Sequence, residues 1–104
     1  MKAMFNQFLE DKPMTGGFDT ETTGLHIIKD KPFLVQFGWL VPKQDYGRVW
    51  TFYPTKEKMG IFFLLAKKLR YFLAHNIKFD CHMLSNIGYA EQVQAMTNLY
   101  DTTA

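Results

Sequence analysis

Residues 17–25, GFDTETTGL, set Asp19 and Glu21 one residue apart in a stretch that otherwise reads as buried β-strand. Side chains two apart on a strand share a face, so Asp19 and Glu21 point one way and Phe18 and Thr20 the other. Two carboxylates on one face repel each other. Either that face looks into water, or something positive sits between them. For an arbitrary Asp-x-Glu the solvated face is the ordinary outcome, so the rest of the chain has to decide.

With 104 residues the chain holds one domain, large enough for a modest core. A hydrophobic share of 47% with 21% charged residues is a globular profile and excludes a disordered or fibrous chain. The net charge of +2, from 12 Lys and Arg against 10 Asp and Glu, permits a nucleic-acid partner without demanding one. Cys81 is the single cysteine, which excludes an internal disulfide and fits a reducing compartment. The opening MKAMFNQFLEDKP turns acidic too early for a secretory signal. The apolar runs PFLVQFGWLV and IFFLLA are too short to span a bilayer. A soluble cytoplasmic chain is expected, with no membrane partner.

Outward from the opening stretch, the pattern predicts a mixed α/β domain. Met4, Phe5, Phe8 and Leu9 predict a helix over 2–10, stopped by Pro13. A strand runs from after Gly16 to about Glu21. In PFLVQFGWLVP, period two puts Phe33, Val35, Phe37, Trp39 and Val41 on one side of a second strand. KQDYG supplies a turn, and RVWTFYP returns as a third strand. Thr55 is the expected N-cap of a helix over 56–70, with Phe62, Leu65, Leu69 and Phe72 on its inner face. YFLAH is a short buried strand, Asn76 the expected cap of a helix ended by Gly88, and NLYD a last strand. The order is an antiparallel β1-β2-β3 opening, then α-β-α-β.

The second helix bears on the two acids. At about 100° per residue, Ile77, Phe79, Cys81, Met83, Leu84 and Ile87 form one apolar arc, with Lys78, His82, Ser85 and Asn86 opposite. Asp80 falls near the middle of that arc. An acid on a buried stripe needs a proton, a cation, a helix N-terminus or a metal, because an unpaired carboxylate in low dielectric is costly. Asp80 lies near the helix start, so the helix dipole alone could account for it. Taken together, the three acids point instead to a metal site. Carboxylates can hold two divalent ions about 4 Å apart, clamping the attacking and leaving oxygens of a phosphodiester. Hard oxygen ligands suit Mg²⁺ or Mn²⁺.

Two stretches, FDTETTGL (18–25) and LAHNIKFDCHML (73–84), in that order, resemble the first and second motifs of the DEDD 3′–5′ exonuclease superfamily, which the resemblance sets at residues 17–25 and 74–84. The likeness is strongest to the proofreading domain of family A DNA polymerases of bacteria and phages, and runs nearly the whole chain, with NLYDTT resembling the strand after the second motif. The resemblance implies a ribonuclease H-like fold, two Mg²⁺ or Mn²⁺ ions, and hydrolysis of the 3′-terminal phosphodiester of DNA. It gives Asp19 the place of the ligand bridging both ions, Glu21 that of a ligand on the nucleophile side, and Asp80 that of the second ion's carboxylate. Thr22 takes the place of a backbone contact to the last nucleotide, and Leu25 that of the apolar wedge beside it. Asn76 and Phe79 take those of contacts to the single strand. As structure alone, Thr22 is a turn residue, Leu25 a loop anchor, Asn76 a cap and Phe79 core.

The family's third motif, Tyr-x-x-x-Asp or His-x-x-x-Asp, lies downstream of the second, and no such pattern follows residue 84 in these 104 residues. Asp101 follows the family's structural Asp-Thr step and is not the missing ligand. Residues 1–104 are therefore expected to be part of an exonuclease domain that stops before its C-terminal helices, cleaving weakly or not at all. No 5′-nuclease domain is expected ahead of it. The expected partners are a single-stranded 3′ end of DNA and the remainder of a polymerase, in the host cytoplasm if phage-encoded. An exposed apolar patch is expected where the missing helix would lie, covered by the polymerase or by self-association. Two alternatives stay open. One is a freestanding or subunit exonuclease of the histidine branch, acting on DNA or small RNA. The other is a non-catalytic module that binds a single strand or scaffolds a polymerase. His26 and His82 are expected in solvent, and His75 has no required catalytic part. Cys81 has no paired base, so it is not expected to act as a nucleophile.

Overall fold

In the computed structural model, which describes residues 2–24 and 29–102, the elements are α1 (Lys2–Asp11), β1 (Thr15–Thr22), β2 (Pro32–Leu40), β3 (Gly47–Phe52), α2 (Lys56–Ala66), β4 (Tyr71–Ala74) and α3 (Ile77–Leu84). A π-helical turn over Ser85–Tyr89, then α4 (Ala90–Gln94) and β5 (Leu99–Asp101), complete the chain. They build one mixed five-stranded sheet in the order β3-β2-β1-β4-β5. β2 is antiparallel to both β1 and β3, β4 is parallel to β1, and β5 is parallel to β4. Parallel neighbours need a crossover, which α2 supplies between β3 and β4, and α3 with α4 between β4 and β5. The mixed α/β class and the antiparallel opening agree with the sequence pattern.

Alternation along β2 decides which face is buried. Val35, Phe37 and Trp39 are buried, and register places Phe37 beside Phe18 of β1. Phe62 of α2 packs on this aromatic floor, with ring centroids 5.4 Å from Phe37, 5.7 Å from Phe18 and 5.7 Å from Phe72. Phe8 of α1 meets Trp39 edge-on at 5.0 Å. Phe8, Phe62 and Leu84 thus bring α1, α2 and α3 to one face of the sheet, in a single core. The opposite face carries Gly17, Asp19, Glu21 and Leu73, with Leu40, Val49 and Tyr100 exposed. A shallow groove of about 380 Å³ crosses it over Gly17 and Gly38, between Leu73 and Val49.

Asp11 fastens α1 to the sheet. Its Oδ2 accepts hydrogen bonds from Trp39 Nε1 at 2.8 Å and Arg48 Nε at 2.6 Å, and its Oδ1 accepts from Gln7 Nε2 at 3.0 Å. The Arg48 and Trp39 donors hold its carboxyl below the usual carboxylate range, against the opposing effect of burial.

Three local expectations are corrected. Phe33 is 46% exposed rather than inward, because register breaks between Glu21 and Thr22. Glu21 pairs with Leu34 but Thr22 with Pro32, so Phe33 is the extra residue of a β-bulge and leaves the inner row. The helix from Thr55 does form, with Thr55 Oγ1 accepting from Lys58 N, but it ends at Ala66 rather than at residue 70, and Phe72 faces the core from β4 instead of from this helix. Tighter i to i−3 bonds from Lys68 and Leu69 close it, and Asn98 Nδ2 donates to the carbonyls of Ala66 and Leu69. Gly88, at φ 100°, breaks the second helix as glycine there can, but the chain resumes as α4 instead of stopping. No helix among the described residues is long and apolar enough to cross a membrane.

Removing the ring at the centre of this core should cost most. Phe62→Ala is expected to lower stability by about 3–5 kcal/mol in urea unfolding, while Leu64→Ala, on the exposed side of the same helix, costs less than about 1 kcal/mol. Equal losses would remove Phe62 from that role. Asp11 makes a second expectation. Its depressed pKa contributes stability above the ordinary carboxylate pKa that is lost as pH falls through the folded value. Asp11→Asn should therefore unfold at lower urea than the parent at pH 7, with the gap closing in strong acid. A gap independent of pH would show that the charge is not what matters.

Candidate functional site

The carboxyl ends of β1 and β4 lie side by side at the middle of the sheet, where the strand order reverses. β1 delivers Asp19 and Glu21 to the face without helices, both exposed, and Thr20 to the core face. β4 ends in a tight turn through His75 and Asn76 and delivers Asp80 in the first turn of α3. Asn76 does not cap α3 as expected. Its backbone is left-handed at φ 56°, ψ 59°, and its side chain makes no cap hydrogen bond. A capping side chain needs an extended backbone to reach the first-turn amides. Here the Asn76 carbonyl meets them instead, accepting from Phe79 N and Asp80 N at 3.1 and 3.3 Å.

Asp80 is 2% exposed, as its place on the apolar arc requires. The Thr20 hydroxyl donates to Asp80 Oδ1 at 2.7 Å, a bond across sixty positions of sequence. The other oxygen, Oδ2, is buried with no hydrogen-bond partner among the described residues. Burial pushes the Asp80 carboxyl up to about 6; the Thr20 hydroxyl pulls the other way, and the charge of Asp19 pushes it further up. Asp19 turns its Oδ1 onto the Thr20 amide at 2.9 Å. Thr20 therefore holds one oxygen of each acid, one through its hydroxyl and one through its amide.

The loop after β1 is tied at its base. Thr22 Oγ1 donates to the Gly24 carbonyl at 2.7 Å, so Thr22 acts within a turn. Thr23 Oγ1 donates to Asp30 Oδ1 at 2.9 Å, and Asn86 Nδ2 reaches across to the Asp30 carbonyl at 2.8 Å. A Cβ at Gly24 would lie 2.5 Å from Asp30 Oδ2, so a larger residue there would push the Asp30 carboxylate aside. Leu25 and His26 lie outside the described residues. Phe79 is half-buried and His75 exposed; His82 is half-buried rather than solvated, in the last turn of α3. Burial and the neighbouring Asp80 raise the Cys81 thiol, which disfavours the thiolate.

Of the three acids, Asp19 and Asp80 are near enough for one charge to act on the other. With Glu21 they do not close into a cage: among the described residues, no three or more His, Cys, Asp or Glu lie close enough together to hold an ion. Mg²⁺ asks for less than a cage, since it takes one or two carboxylates and keeps water or phosphate oxygens for the rest. The orphaned Oδ2 of Asp80 beside a second carboxylate fits such a cation. Thr20 and Asn86 escaped the sequence reading. Thr20 carried a usable signal, a polar residue on the core face of a buried strand; Asn86 carried none.

No family model and no curated protein matches the chain.

In metal-free buffer the raised carboxyl has a definite sign. Folded protein keeps the Asp80 proton where unfolded chain has lost it, so this residue's contribution to stability falls as pH rises from about 4 to about 6. From pH 4 to 7, Asp80→Asn should gain on the parent by the order of 3 kcal/mol in urea unfolding. A difference that stays flat with pH would mean that Asp80 is not titrating in this window.

Proposed function

We propose that the chain is the first part of a 3′–5′ exonuclease domain of ribonuclease H-like fold that hydrolyses the 3′-terminal phosphodiester of a DNA single strand, as in proofreading by a polymerase. The observation that carries this reading is Asp80: a buried carboxylate with one oxygen tethered to β1 and the other unpartnered, beside Asp19. The fold supports it. The strand order β3-β2-β1-β4-β5, with only β2 running against the rest, is compatible with a ribonuclease H-like reading. Open α/β sheets take ligands outside the carboxyl ends of their strands where the order reverses, and Asp19 and Asp80 approach each other at that point.

Asp19 and Asp80 would hold divalent cations, with Glu21 adding negative charge from the bare face. Bound there, a pair of Mg²⁺ or Mn²⁺ ions supplies a water nucleophile at neutral pH and stabilises the leaving 3′ oxygen. The protein's part is positioning. Thr22 and Gly24 shape the loop at the end of β1, where the backbone would lie along the last nucleotide, and Leu25 follows directly. Asn76, with its side chain released from capping, and Phe79 lie on the turn and first helical residues beside Asp80, suited to the phosphate and sugar of the preceding nucleotides. The fourth carboxylate and the residue that orients the water are not in these 104 residues, so cleavage is expected to be weak. The bare face of the sheet would be covered by the remainder of a polymerase.

The wide spacing of the three acids favours a second reading, a module that binds a 3′ single strand without cutting it. A 3′-labelled single strand titrated with Mn²⁺ separates the two. Slow loss of 3′ nucleotides is expected, stopped by chelation and reduced at least tenfold in Asp19→Ala. Binding without shortening supports the module, and neither binding nor shortening removes both.

A further inference from the structure

Thr20 has two bonds that its place in the strand does not explain. On the core face of β1, between Phe18 and the end of the strand and opposite Val35 of β2, a valine would satisfy strand geometry and packing equally well. Threonine differs from valine only in the hydroxyl, and the hydroxyl goes to Asp80 Oδ1 at 2.7 Å. The same residue's amide goes to Asp19 Oδ1 at 2.9 Å. A carboxylate is planar, so tethering one oxygen to a strand fixes where the other points. For Asp80 that other oxygen is buried and unpartnered.

We infer that Thr20 is the positioning residue of the cation site: it acts through Asp80 and Asp19, holding their carboxylates in a fixed relation so that their remaining oxygens face a shared divalent cation. The inference rests on the cation site of the preceding section and adds a residue that touches neither cation nor substrate. An amide donor belongs to any residue at this position, so the side-chain test isolates the Asp80 half of the clamp. Without the hydroxyl, Asp80 is free to turn and the cation must order it on binding. Loss of such a supporting bond typically weakens metal affinity by 10–100-fold.

The test measures Mn²⁺ binding to the 104-residue protein by electron paramagnetic resonance of the free ion, without DNA. Urea unfolding in chelator checks that each variant is folded. Thr20→Ser keeps the hydroxyl and should bind within about threefold of the parent, while Thr20→Val should bind about tenfold or more weakly. Thr20→Cys, whose thiol is a weak donor, serves should valine disturb folding, and should bind more weakly than Thr20→Ser. Asp80→Asn marks the loss of the ligand itself. If Asp80→Asn weakens binding but Thr20→Val, or Cys against Ser, does not, the positioning role falls and the cation site stands. If the parent binds no Mn²⁺ at millimolar concentration, or Asp80→Asn leaves binding unchanged, the site falls and the role of Thr20 with it.

Discussion

A carboxylate held in a dry interior has to be satisfied, and the way Asp80 is satisfied governs the centre of this molecule. Asp11 gives the comparison. Both its oxygens accept hydrogen bonds, one of them from a guanidinium, and its carboxyl is held below the usual range. Asp80 has a hydrogen bond from a neutral hydroxyl, one oxygen with no hydrogen-bond partner among the described residues and a like charge nearby; the Thr20 backbone and the charge of His75 ease it less than burial costs it, and its carboxyl is pushed up. A charge-assisted bond contributes about 1.5–3 kcal/mol, whereas leaving a buried charge short of partners costs at least as much. Asp11 behaves as a structural anchor. Asp80 behaves as a group still short of positive charge.

That shortage sits where the fold leaves room for it. The chain turns from β1 toward β2 on one side, while β4 runs on through α3 toward β5 on the other, and Asp80 at the start of α3 meets Thr20 at the end of β1. Asp80 approaches the gap from the helical side of the sheet; Asp19 and Glu21 approach from the bare side. The bulge at Glu21 and Thr22 ends regular pairing at this point and leads the chain into the loop pinned by Thr23, Asp30 and Asn86. Bulges commonly re-aim a strand next to a site, and here the bulge also accounts for the outward turn of Phe33.

Much of this was written in the sequence at the level of periodicity. Two-residue alternation in PFLVQFGWL gave the inner row of β2, and the helical arc around Met83 and Leu84 placed Asp80 inside. What periodicity missed are features set by tertiary neighbours. The early end of α2 depends on Asn98, thirty-two positions from Ala66 in sequence, and the bulge depends on register between two strands. The left-handed Asn76 depends on how tightly β4 must turn into α3. Asn86 falls on the polar side of the arc by spacing, but it lies half-buried in the π-helical turn, and the loop it holds comes from across the molecule. The acids were legible because a charge on an apolar arc is conspicuous. Their clamp was not, because threonine is an ordinary strand residue until its hydroxyl is seen to have a partner.

The openness of the three acids is itself informative about the kind of cation that suits them. An ion bound for structure alone is best served by a closed set of protein ligands, which no group of described residues forms. A set drawn from two faces of a sheet, with one carboxylate fixed and buried and two exposed, leaves coordination positions for water and for oxygens of a ligand. Mg²⁺ and Mn²⁺ bound in that way remain incomplete until phosphate arrives. Fixing the buried member through Thr20 lowers the ordering needed at that moment, and leaving Asp19 and Glu21 exposed keeps the approach open from the bare face. On the proposed reading, an acid that is costly to bury and only half satisfied would be completed by an ion shared with a phosphodiester.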